Sequence, residues 1–126
     1  MNTKKLLWSV SFAIYAGLVL YGSVVPVRDG PPIISVPGTD KLLHAGEFTI
    51  FVLILNPTLY YYSRDIERTR LALVAISMLY GGFAELVQVF VASRTPSLLD
   101  WGANAAGIFI GLAAISLMKE WRKRKL

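Results

Sequence analysis

The chain has 126 residues, of which 55% are hydrophobic and 17% charged, too apolar a balance for a soluble domain of this size. Its net charge of +5 sits beside apolar runs rather than in a basic patch, so no nucleic-acid partner is expected. With no cysteine, disulfides, thiolate metal sites and cysteine nucleophiles are excluded.

The apolar residues come in runs of membrane length, without the two-residue alternation of a barrel strand. The expected fold class is all-α: a polytopic membrane protein with a four-helix transmembrane bundle, forming one domain over residues 1–126. Lys4 and Lys5 precede a first span at 6–25, longer than the apolar core of a cleaved signal peptide. Four prolines and two glycines follow, from Pro26 to Gly38, and predict an extended loop over the bundle. A second span is predicted at 40–56, ended or kinked by Pro57, with Tyr60, Tyr61 and Tyr62 as an interfacial belt. The stretch from Arg64 to Arg70 reads as a short charged turn. The third span is placed at 71–91 and the fourth at 98–118, joined by a tight connection through Arg94 and Pro96. A basic tail from Trp121 to Lys125 closes the chain.

Lysine and arginine are unevenly divided between the two ends of this bundle. Lys4, Lys5, Arg64, Arg68, Arg70, Lys119 and the tail fall on one side, and only Arg28, Lys41 and Arg94 on the other. The positive-inside rule therefore expects both termini to be cytoplasmic. Spans two and four would then begin at the outer face of the membrane, where span three ends.

That topology gathers polar residues from distant parts of the chain. Asp40, His44 and Glu47 are spaced i, i+4, i+7 and share one face of span two, with Lys41 beside them. Glu85 and Gln88 close span three, Arg94 lies in the connection, and Asp100 and Asn104 open span four. Glu47 and Glu85 should lie about two turns inside the outer boundary. Asp100, Asn104, Gly107 and Gly111 share a face, the glycines allowing close helix approach.

Ionisable groups inside a span are costly and mark functional sites by default. Two chemistries suit this set. His44, Glu47, Glu85 and Asp100 form a candidate catalytic group, His44 serving as acid–base or nucleophile with its tautomer set by Glu47 or Asp40. Asp40, Lys41, Gln88, Arg94 and Asn104 form a candidate ligand-binding group, in which Lys41 and Arg94 clamp an anion near two helix N-termini. The carboxylates with His44 also suit a divalent cation. The bland readings are that Asp40 caps span two, that Ser97 to Asp100 is a capping box, and that the charges form an ion-pair network pinning the bundle. Two functions stay open: an enzyme acting on an envelope lipid, and a non-catalytic binder or transport accessory.

The ordered pattern Asp40-Lys41-x-x-His44-x-x-x-Phe48, Glu85-x-x-Gln88, Arg94, then Asp100-x-x-x-Asn104-x-x-Gly107-x-x-x-Gly111 resembles the VanZ-like membrane proteins. The likeness covers spans two to four. It implies a small multi-span protein of the bacterial envelope, in the cytoplasmic membrane, related to a protein associated with resistance to the glycopeptide teicoplanin. With the site at the outer face, the expected partner is a membrane lipid, anionic or polyprenyl-phosphate. Ser93-Arg94 with Asp100 and the two glycines is also similar to one motif of the membrane lipid-phosphate phosphatases. Their Ser-Gly-His element, and the histidine within this motif, are missing from the chain.

Overall fold

The structure, a computed structural model, describes residues 2–25 and 38–125. The proline-rich loop expected after the first span lies outside the described residues. Four helices make up the fold, α1 (Thr3–Val24), α2 (Thr39–Tyr60), α3 (Ile66–Val87) and α4 (Leu98–Arg124), with one 3-10 turn at Gln88–Phe90. There is no strand among the described residues, and each of the four helices is long and apolar enough to cross a membrane.

Local chemistry sets the ends, and it differs from the sequence reading in three places. Pro57 does not stop α2, which runs on to Tyr60. Proline removes one N–H from the ladder, and here the next residue helps to hold the turn. The Thr58 hydroxyl lies 3.1 Å from both Ile54 O, one turn back, and Trp8 O of α1. The charged stretch after Arg64 is not a turn but the opening of α3. Asp65 caps it, its Oδ1 accepting from the N–H groups of Glu67 at 3.0 Å and Arg68 at 3.1 Å. The basic tail is likewise the last turns of α4, where its charges complement the helix dipole.

α2 is the central element and shares its most extensive interface with α4. Its Phe48, Phe51, Val52 and Leu55 are buried together with Val19 of α1, Leu73 of α3, and Ile108 and Ile115 of α4. Phe51 is the hub: its ring lies 5.3 Å from Phe48, 5.0 Å from Tyr80 and 5.1 Å edge-on from Phe12. Outside this core the helices are apolar on the exposed side as well. Leu7, Ile14, Leu18, Leu79, Phe83 and Phe109 all present most of their side chains outward, as lipid-facing helices do.

The helices alternate in direction. The C-terminal ends of α1 and α3 and the N-terminal ends of α2 and α4 share one pole, called here the site pole. The opposite, basic pole carries the start of α1 and the end of α4. There the Tyr62 hydroxyl lies 3.3 Å from Ser9 Oγ, and its ring lies 3.8 Å beneath the Lys5 ammonium.

Candidate functional site

Small residues bring α2 and α4 together near the site pole. A Cβ on Gly107 would sit 2.9 Å from Ala45 Cα, and one on Gly111 would sit 3.0 Å from Val52 Cβ. Thr49 Oγ1 spans the seam, 2.8 Å from Ala45 O and 3.0 Å from Gly107 O. Gly81 of α3 admits a third backbone, since a Cβ there would lie 3.3 Å from both Asn104 Nδ2 and Phe48. His44, one residue before Ala45, is thereby set against Asn104, one turn before Gly107.

The polar side chains then interlock. His44 Nδ1 lies 3.1 Å from Asn104 Oδ1. With the amide oxygen facing the ring, Nδ1–H donates, and the Nε2 lone pair is left free. Nε2 points toward Asp100 Oδ2 at 3.9 Å, beyond hydrogen-bond distance. Lys41 Nζ bridges two carboxylates, donating to Asp40 at 2.6 Å and also to Asp100. Asp40 is therefore an ion-pair partner, and the alternative reading of it as the cap of span two does not hold. The cap residue of α2 is Gly38, at φ 85°, a left-handed conformation that favours glycine.

Glu85 is only 7% exposed, and its Oε2 accepts the backbone N–H of Ser97 at 3.3 Å. Ser97 in turn caps α4, its Oγ accepting from Leu99 N at 3.2 Å and Asp100 N at 3.4 Å. The start of α4 therefore has only half of a capping box. The N–H that a third-position acid would take goes to Glu85 on the neighbouring helix, leaving Asp100 to Lys41 and His44. Donor atoms of His44, Glu85 and Asp100, from three different helices, all lie within 4.8 Å of one another.

Of the other expected site residues, Asp40, Glu47, Gln88 and Arg94 line a cavity of about 600 Å³ between α1, α2 and the α3–α4 connection, while Lys41 and Asn104 do not. Asp40, His44, Glu47, Gln88 and Arg94 form its polar wall, and Tyr15, Leu42, Leu43 and Ile50 its apolar one. Glu47 stands apart from the three converging donors, and its carboxylate has no hydrogen-bond partner among the described residues. Gln88, in the 3-10 turn, is 3% exposed and its amide is equally free. Arg94 reaches back to α1, donating from Nε to Val25 O at 3.2 Å and from an Nη to Gly22 O at 2.9 Å. It thus satisfies carbonyls that the end of α1 leaves open. Two residues not named among the expected site residues belong here, Ser97 having been read only as part of a capping box. Tyr15 donates to Glu47 O at 2.9 Å, and Ser97 aligns Glu85. A polar hydroxyl within the apolar first span was the available signal for Tyr15.

A second cavity, of about 650 Å³, lies at the basic pole, lined by Trp8, Tyr60, Tyr61, Arg70, Lys119 and Arg122 among others. It holds no histidine.

Fold and site together define a polytopic helical membrane protein with an ionisable cluster at one end of its bundle. The VanZ/LLP1 family model matches residues 6–119, nearly the whole chain, and the protein belongs to that family. No curated protein and no solved structure matches it.

Proposed function

We propose that the site-pole cavity receives the phosphate-bearing headgroup of a membrane lipid, or of a lipid-linked envelope precursor, in the outer leaflet. The observation that carries this reading is the cavity's two-sided lining. Charged and amide side chains form one wall, while Leu42 and Leu43, 74% and 61% exposed, form a lip where acyl chains can lie. A soluble ligand has no use for such a lip. Lys41 and Arg94 supply the positive charge for a phosphate, and the free amide of Gln88 a further donor.

Chemistry on the bound lipid is the extension of this reading. His44, oriented by Asn104, would take a proton at Nε2 from the attacking water and return it from the protonated ring to the leaving group, and Glu85 and Asp100 would orient that water. Membership of the family supports the reading of a bacterial-envelope protein related to glycopeptide resistance.

The test is to purify the protein from membranes in mild detergent and identify co-purified lipid by mass spectrometry. Labelled polyprenyl phosphates and glycerophospholipids are then incubated with it. A retained phosphate-bearing lipid supports the binding reading, and product formation adds catalysis. A protein that retains no such lipid and binds none on addition refutes it.

A further inference from the structure

We infer that His44, Glu85 and Asp100 bind one divalent transition-metal cation. The site stands on its own side chains; the ion's use, to bridge the protein to a lipid phosphate, rests on the function proposed above.

The electrostatics of the cluster call for a cation. Asp40, Glu85 and Asp100 bring three carboxylates together, and among the described residues Lys41 is the only Lys or Arg paired with any of them. Glu85 is buried, and no Lys or Arg among the described residues forms an ion pair with it. A phosphate entering here would meet more negative than positive charge. A dication coordinated by the carboxylates reverses that balance, and metal ions characteristically join protein carboxylates to phosphate oxygens.

The donor set and its orientation fit a metal. One imidazole with two carboxylates suits Zn²⁺ or Mn²⁺ better than Ca²⁺ or Mg²⁺, which favour oxygen alone. The Asn104 oxygen accepts a hydrogen bond from His44 Nδ1–H, the outer-shell contact that turns Nε2 outward as a ligand. The three donors come from α2, α3 and α4 and already lie within 4.8 Å of one another. Carboxylate rotations would close them onto an ion with bonds of about 2.0–2.2 Å. Lys41 now occupies Asp100 as a tethered cation. It has a second partner in Asp40, at 2.6 Å, so an incoming ion can displace it without stranding its charge. A second pointer to a ligand is Gln88, a residue only 3% exposed whose amide makes no hydrogen bond among the described residues and faces the cavity that His44 lines.

The experiment is a Mn²⁺ titration of chelator-stripped protein in detergent, followed by electron paramagnetic resonance. One Mn²⁺ per chain is expected, with echo modulation from one imidazole nitrogen, a signature that requires no variant. His44→Gln, Glu85→Gln and Asp100→Asn should each weaken binding by at least about tenfold, and Asn104→Ala by about 10–100-fold. Glu67→Gln, at the basic pole, should leave it unchanged. Lys41→Met should tighten it, because the competing ammonium is gone. Sub-stoichiometric Mn²⁺, no nitrogen coupling, or binding untouched by His44→Gln would each overturn the site. Binding of dioleoyl phosphatidic acid in mixed micelles, with and without Mn²⁺, separates the two readings. Phosphatidic acid bound by protein that takes up no Mn²⁺ leaves the lipid reading standing and overturns this one. Stoichiometric Mn²⁺ without lipid binding supports the site and refutes the lipid reading.

Discussion

His44 and Asn104, 60 positions apart, meet at 3.1 Å because nothing larger than a hydrogen atom stands on Gly107. The contact that orients the chain's single histidine is therefore a consequence of backbone packing one turn deeper. A change at Gly107 should disturb both stability and the site.

Even alanine is too large there. Its Cβ would sit 2.9 Å from Ala45 Cα, so the α2 backbone itself must move. Gly107→Ala should lower stability by about 1–3 kcal/mol, the usual cost of overpacking. Gly17→Ala, where a Cβ meets nothing within 4 Å, should be neutral or mildly stabilising. Thermal unfolding of both variants in detergent checks this; equal melting temperatures would mean that the α2–α4 seam has room to spare.

Ser77 offers a test away from the site. Its hydroxyl is fully buried in α3 and has no hydrogen-bond partner among the described residues. An unsatisfied buried polar group costs about 1–3 kcal/mol, so Ser77→Ala should raise the melting temperature or leave it unchanged. A clear loss would reveal a partner that ordered water supplies.

The charge difference between the two poles predicts sidedness by the positive-inside rule, and that prediction can be tested. With no native cysteine, single introduced cysteines report directly on accessibility. Thr95→Cys should react with an impermeant thiol reagent from outside, and Asp65→Cys and Lys123→Cys only after permeabilisation. The reverse pattern would move the cavity to the cytoplasmic leaflet and remove the outer-leaflet part of the proposed function.

What could be read from the sequence, and what could not, divides along the range of the interaction. The four spans were legible because lipid demands apolar length, and that demand is visible in any window of the chain. The small-residue face of α4 was legible from its four-residue spacing. The ends were less so: the charged stretch around Asp65 read as a turn, and Asp40 was one possible cap where Gly38 holds that place. Both positions hold residues suited to caps, and only φ/ψ distinguishes them. The links that build the site were beyond reach. Glu85 with the Ser97 amide, Arg94 with the last carbonyls of α1, and Tyr15 with Glu47 O each join different helices. No local pattern encodes such a pairing.

Site and scaffold can now be separated more sharply than by charge removal alone. Arg94→Gln takes donors from the Gly22 and Val25 carbonyls, so it should loosen α1 as well as weaken anion binding. It is a poor probe of function by itself, and a loss of melting temperature is expected. Glu85→Gln is the cleaner change, because its amide oxygen can still accept the Ser97 N–H while the charge is gone. His44→Gln likewise keeps a donor for Asn104 but removes the ring. If the cluster serves a ligand, both variants should fold with melting temperatures near the parent and lose lipid binding. If it is instead an ionic network pinning the bundle, removing one partner strands another, at about 3–5 kcal/mol. Thermal melts beside lipid-binding assays on the same preparations decide between them. Binding that declines only in step with stability would make the cluster structural, and the functional reading would fall with it.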